Sequence, residues 1–398
     1  MSSVIIAGDT SGTITLAAPA VAGSGVLTLP VATDTLVGKA TTDTLTNKTL
    51  TAPVLGTPAS GILTSCTGLN YDGFKSRIIN GAMVIDQRNA GASVTGLSGG
   101  NYSLDRWNIF RTSGATGYTA QQQTSGTGNF TNAIRVQRTN ANTSTESVIL
   151  TQVVESNNCN NLSGLSVTLS FYARAGANYS ATSSILSTRI VTGTTADQGI
   201  AGVFAGTWAG YTSTDQNNTL TTSFQKFTQT VTLGSGVQEL AVWFKENPVG
   251  TAGANDWFEI TGAQIEVGST ATSFDYRPYG TELALCQRYL PAYIANASGE
   301  HIAVGQNIST TQGYAVFPLN VTPRVPPTGV TVSSAGHFYM MGATGGNNQC
   351  SALAFQNGSY VSASLLASVG SALQAAGNGL ILQTYSASAK LIFTGCEL

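Results

Sequence analysis

Apolar and polar positions alternate most cleanly from Leu165 to Arg174, where Leu165, Val167, Leu169, Phe171 and Ala173 interleave with Ser166, Thr168, Ser170, Tyr172 and Arg174. A period of two puts one set on each face and predicts a half-buried strand. The same pattern predicts strands over 133–138, 147–155, 185–191, 224–233 and 237–245, with long loops around 112–130, 192–223 and 246–256. From Trp257 the apolar role passes from Phe258 and Ile260 to Ala263, Ile265 and Val267, which have the opposite parity. A parity switch at Gly262 predicts a β-bulge, because one extra residue turns all later side chains to the other face. After Gly268 the run STATSFDYRPYG has no helical period and reads as an extended segment lying on the sheet. Residues 282–289 read as one or two helical turns.

Many short strands between Gly, Ser, Asn and Thr loops indicate an all-β chain whose middle is a jelly-roll sandwich, not a βαβ fold. Three stretches are distinguished. Residues 1–70 carry small apolar pieces before Pro19, Pro30 and Pro53 and the weak repeat DTLVG, DTLTN. Each piece is too small to bury its own face, so the stretch is either a fibrous arrangement shared with partner chains or a disordered linker. Residues 71–284 are the sandwich, with Ile79, Met83, Ile85 and Trp107 as core and Asp105 paired to Arg106 or Arg88. Residues 285–398 are a small β-rich unit, in which 362–377 reads either as a helix or, preferably, as strands.

Composition narrows the function. Only 9% of the 398 residues are charged, 42% are hydrophobic and 45 are Gly, which suits folded β structure rather than disorder. The net charge is −2 and no Lys/Arg cluster occurs, so the electrostatic footprint of a nucleic-acid partner is missing. No apolar run reaches the ~20 residues of a membrane span. Five widely spaced cysteines without a CxxC pair read as free thiols, with no disulfide and no zinc.

Three phrases carry a family resemblance. Asn80, Gly81, Met83, Ile85, Gln87 and Arg88 form one, and Asp105, Arg106 and Trp107 a second. The third begins with Gln264, Glu266, Gly268, Ala271, Thr272, Phe274, Arg277, Pro278 and Tyr279 and continues through Glu282, Leu283, Leu285, Cys286, Gln287, Arg288 and Tyr289. They resemble the tail-fibre and related receptor-binding proteins of tailed bacteriophages, where such phrases open and close a carbohydrate-binding-module-like jelly roll. The stretch ITLAAPAVAGSGVLTLPVATDTL is similar to the N-terminal part of phage fibre proteins. The resemblance implies a homotrimeric virion protein, assembled in the host cytoplasm, joined to other tail or capsid proteins through its N-terminus and adsorbing to a host surface glycan. A structural virion part and a glycan depolymerase are the alternatives.

The residues contain little chemistry. Glycoside hydrolysis needs two carboxylates facing a cleft, and the only acid cluster, Glu239, Glu246, Asp256, Glu259 and Glu266, reads as solvated or ion-paired surface groups. His301 and His337 are the only histidines and lie in no triad or metal spacing. The chain is expected to be non-enzymatic and without cofactor, with a loop calcium near Asp105 or Asp256 left open. For glycan binding, the candidates are aromatics in polar loops. Trp208, Tyr211 and Asp215, beside Gln216 and Asn217, form one set, with Tyr118 and Tyr179 in other loops. His337, Phe338 and Tyr339, with Met340, Met341 and Tyr360, form another in the C-terminal unit, which is expected to hold the main recognition surface. Against these stand two core readings: Trp208 as a buried cap, and Phe338 with Met340 as the inner face of a strand.

Overall fold

The computed structural model describes residues 3–7, 11–17, 74–95, 100–111, 117–342, 346–372 and 375–398. The chain divides into two compact units, Met1–Leu69 and Asn70–Leu398. In the first, β1 (Ser3–Ala7) and β2 (Thr13–Ala17) pair as an antiparallel hairpin with Ile5 and Ile6 exposed. The repeat DTLVG, DTLTN and Cys66 lie outside the described residues.

The second unit begins with β3 (Asn101–Leu104), β4 (Trp107–Arg111), β5 (Tyr118–Thr127), β6 (Phe130–Arg138), β7 (Val148–Val154), β8 (Ser166–Ala175) and β9 (Ala181–Gly193). It continues with α1 (Ile200–Ala205), β10 (Thr212–Thr219), β11 (Gln225–Thr232), β12 (Glu239–Pro248) and β13 (Trp257–Val267). These strands form two antiparallel sheets, ordered β10-β9-β12-β7-β4-β3 and β11-β8-β13-β6-β5. Their facing sides bury Trp107, Leu169, Phe171, Phe244, Phe258 and Ile260 in one core, so the middle of the chain is the expected β-sandwich jelly roll.

Both edge strands β5 and β10 occupy stretches expected to be loops. Their sequences, YTAQQQTSGT and TSTDQNNT, present few apolar side chains because an edge strand has one partner and open outer surroundings. Within β8, Val167, Leu169, Phe171 and Ala173 are buried, whereas Leu165 is exposed in the turn that precedes the ladder. The bulge forms where the parity switches: the register of β13 against β8 shifts between Thr261 and Gln264, and Gly262 has φ 59°. A side chain there would strike the Phe130 ring, its Cβ standing 2.4 Å from Phe130 Cζ.

The run after β13 folds back on that strand. Glu266 accepts hydrogen bonds from the Thr272 N–H (2.8 Å) and hydroxyl (2.6 Å), and Gln264 Oε1 accepts from the Asp275 N–H at 2.8 Å. Arg277 donates to the carbonyls of Ser76 and Ile78. Asn80 is buried and ties the phrases together, bonding both N–H and C=O of Ile85 and the Asp105 carbonyl, while its own carbonyl accepts from Trp107 Nε1 at 3.0 Å. Arg106 pairs with Glu397, and Asp105 stands 3.9 Å from Arg88. Most residues that carry the resemblance are therefore structural.

The helix α2 (Tyr279–Gln287) leads into β14 (Ala292–Ile294), β15 (His301–Asn307), β16 (Gln312–Pro318), β17 (Gly329–Val332) and β18 (Phe338–Gly342). The chain ends with β19 (Asn347–Gly358), β20 (Ser362–Val369), β21 (Gly379–Thr384) and β22 (Lys390–Thr394). Residues 362–369 are strand, as preferred. Six strands close a barrel in the order β15-β16-β20-β19-β18-β21, and β14, β22 and β17 form a small sheet. Barrel and sandwich are bonded to each other: Leu398 and Tyr289 pack under the six-stranded sheet, Glu397 meets Arg88 and Arg106, and Arg288 meets Glu155.

Candidate functional site

The barrel register assembles a site from residues far apart in sequence. In β18, Phe338 and Met340 point into the barrel core, so Tyr339 points outward. Tyr339 faces Gln349 of β19 on one side and Gln383 of β21 on the other, and Gln383 in turn faces His301 of β15. The result is an outward row, His301, Gln383, Tyr339, Gln349, crossing four adjacent strands over about 14 Å. The Tyr385 ring, 48% exposed, stands against Tyr339 with centroids 4.4 Å apart and an interplanar angle of 35°. Desolvation and the neighbouring Tyr385 raise the Tyr339 phenol above its ordinary range, so it is a neutral hydrogen-bonding group.

Neighbouring bonds fix the row. His337 lies beside it, its carbonyl accepting the Tyr385 N–H at 2.7 Å and its Nδ1 2.9 Å from Ser333 Oγ. Gln349 Nε2 donates to the Gly336 carbonyl at 2.6 Å, which leaves its Oε1 for a ligand. Gln383 Oε1 is buried with no hydrogen-bond partner among the described residues. Two tyrosine rings beside amide groups and an exposed histidine offer apolar faces and directional polar contacts together, the combination a sugar ring requires.

The structure thus brings together His337 and Tyr339 and adds Tyr385, Gln349, Gln383 and His301, which the linear order conceals. Phe338 is excluded, because it is a core residue of the barrel. Trp208 is not an exposed platform either: it is 4% exposed, its Nε1 bonding the Gly199 carbonyl at 3.0 Å. The short helix α1, ended by Gly206 at φ 67°, turns the chain so that Trp208 packs with Val203 and Trp243 on the outside of the six-stranded sheet. Tyr211 and Asp215 meet through Arg189, which donates to the Tyr211 hydroxyl at 3.3 Å, pairs with the Asp215 carboxylate and lies 4.2 Å over the Trp243 ring. That network lies at the surface, with Asp215 exposed and Arg189 half-buried. Tyr118 and Tyr179 are buried, while Tyr360 is exposed.

No protein-family model and no curated protein matches the chain. Among solved structures, it is similar at 12% identity and TM-score 0.32 to the enzymatically active domain of tailspike protein 4 from bacteriophage CBA120, over 49% of this chain and 22% of that one. A CBM4 module is similar at 19% identity and TM-score 0.28, over 48% of this chain and 98% of the module. The xylan-binding CBM22-1 domain from Paenibacillus barcinonensis is similar at 12% identity and TM-score 0.26, over 46% and 99%.

The acids expected at the surface are instead buried. Glu259 lies between Arg135 (2.6 Å) and Arg174 (2.6 Å), and Asp256 is bound by Arg138 Nη1 at 2.8 Å and by the Ser180 N–H at 2.9 Å. Around Asp256 the guanidinium also donates to Ser180 Oγ and to the carbonyls of Asn142, Ser144 and Gly250. This is an oxygen cage already filled by an internal cation, so a calcium ion at Asp256 has no place. At Asp105 the carboxylate accepts from Gln87 Nε2 at 2.8 Å, with Arg88 nearby. Among the described residues no group of three or more His, Cys, Asp or Glu is placed to hold a metal, and no helix is long and apolar enough to cross a membrane. Cys159, Cys286, Cys350 and Cys396 are unpaired and buried, and burial pushes the Cys159 and Cys350 thiols up to about 12.

Proposed function

We propose that this chain is a bacteriophage virion fibre protein that adsorbs to the host by binding a surface glycan through the barrel, without cutting it. The outward row His301, Gln383, Tyr339, Gln349 with Tyr385 carries this reading, since it presents two tyrosine faces, an exposed histidine and the uncommitted Gln349 amide oxygen on a rigid strand scaffold. The commitment of Asp256 to the buried Arg138 and of Glu259 to the half-buried Arg135 and Arg174 supports binding over cleavage, because both carboxylates are themselves buried and held by ion pairs. Attachment to other virion proteins is assigned to residues 1–70 on the phrase found there.

The binding test uses the full chain. Tyr339→Ala and Tyr385→Ala should each weaken competition with virions for host cells about ten-fold, at an unchanged melting temperature. The wild-type chain, incubated with host surface polysaccharide, should release no oligosaccharide. Full competition by both variants would move binding away from the barrel row, failure of the wild-type chain to compete would favour a structural part of the virion, and released sugar would make the chain a depolymerase.

The same reading includes a homotrimer. The exposed isoleucines of the β1–β2 hairpin and the directly opposed, exposed Val304 and Val316 on the barrel need partner surfaces, and no strand of the barrel carries Asp, Glu, Lys or Arg to oppose self-association. Light scattering should give about three times the chain mass; a monomer at micromolar concentration would remove the trimer.

A further inference from the structure

A groove of about 490 Å³ runs between the sandwich and the barrel unit. One wall comes from Asp86, Gln87 and Gln122, another from Tyr279, Leu283 and Gln287 of α2, and the third from Tyr293 and Asn320. Gln87, Tyr279, Leu283 and Gln287 belong to the phrases that carry the family resemblance. Elsewhere most of those phrases are committed to internal packing and hydrogen bonds, and this groove is a place where they meet solvent.

The polar groups of the groove are held in a particular sense. Gln287 Nε2 donates to Gln87 Oε1 at 3.1 Å and to the Ala292 carbonyl at 3.3 Å, which leaves its Oε1 uncommitted. Gln122 Nε2 donates to the Met83 carbonyl at 2.6 Å, leaving its Oε1 likewise. The Tyr293 hydroxyl donates to Glu300, fixing that ring, while Tyr279 is 63% exposed at the mouth. Among the described residues that line the groove Asp86 alone is charged, and its two oxygens already accept the N–H groups of Asn89 (2.9 Å) and Gly91 (2.7 Å). Two open amide oxygens call for ligand hydroxyl donors, the tyrosine rings call for apolar faces, and the absence of a lining basic group disfavours an anion.

We propose that this groove is a second saccharide site, separate from the barrel row, which takes a neutral oligosaccharide of two or three rings. It rests on the glycan-binding reading only for the class of ligand. Gln87 acts by positioning Gln287, whereas Tyr279, Gln122, Gln287 and Asn320 touch the sugar.

The probes are maltotriose, cellotriose and tri-N-acetylchitotriose, offered to the full chain in calorimetry and saturation-transfer NMR. At least one should bind the wild type, with Tyr279→Ala and Asn320→Ala each weakening it about ten-fold and Tyr339→Ala leaving that affinity unchanged. Both groove residues are exposed, so the variants should melt with the wild type. Binding lost in Tyr339→Ala but kept in Tyr279→Ala would leave the barrel reading standing and overturn the groove. Failure of all three sugars to bind the wild type overturns the groove as a neutral saccharide site, while cell competition by the wild type tests the barrel separately.

Discussion

Arg138→Ala should destabilise the second unit by about 3–5 kcal/mol, the cost of leaving a buried carboxylate without its partner. Arg138 is fully buried, and its guanidinium satisfies Asp256, the Ser180 hydroxyl and three loop carbonyls at 2.6–3.0 Å. Removing it takes a donor from each of those acceptors and leaves the Asp256 charge without its cation, next to Glu246, whose two oxygens have no hydrogen-bond partner among the described residues. Chemical denaturation measures the loss. The double variant Arg138→Met/Asp256→Asn should recover part of it, because the uncompensated charge is then gone. A single-variant loss below about 1 kcal/mol would show that the cage does not hold the sandwich end together.

Stability should fall as pH rises from about 5 to 8, the reverse of ordinary acid denaturation. Burial pushes the Glu239 carboxyl from its ordinary 4.5 up to about 8 and that of Asp105 from 3.8 up to about 7. Glu246 is raised well above 4.5 by burial first and then by repulsion from Asp256. Each group therefore holds its proton more tightly when folded than when unfolded. Its contribution is complete below the unfolded value and disappears as pH climbs through the folded one, a loss on the order of several kcal/mol in total. Glu155 acts in the other direction: burial raises it, but hydrogen bonds from Arg288 and Tyr289 outweigh burial and hold it below 4.5, so its contribution is lost only in acid. Melting temperatures across the range should decline, and Glu239→Gln and Glu246→Gln should flatten the slope. A wild-type melting temperature that rises from pH 5 to 8 would refute the assignment.

Within single strands the sequence was highly legible. The alternation in β8, the parity switch at Gly262, and the core residues Ile79, Met83 and Ile85 of the run before β3 and Trp107 of β4 follow from local order, and the structure shows each; Phe338 had two readings, and the barrel decides for the core. The edge strands β5 and β10 were not legible, because they bury little and have no apolar row to display, whereas the edge strand β11 was read from its alternation. Trp208 was left between a binding aromatic and a buried cap for a related reason: a six-residue helix flanked by glycines resembles a polar loop until the sheet it covers is known, and the structure decides for the cap.

What the sequence by itself determined, then, is the fold class and which face of each interior strand is buried, since a two-residue period reports the two sides of one strand directly. Tertiary structure decided the sites. His301, Tyr339, Gln349 and Gln383 become a row only through barrel closure and register, and Gln122, Tyr279 and Asn320 share a groove only because the sandwich and the barrel pack together. It also decided the state of the acids. Whether a strand glutamate is solvated, as at a surface, or sealed between arginines, as Glu259 is, depends on neighbours across the ladder, and those are set by pairing rather than by adjacency along the chain.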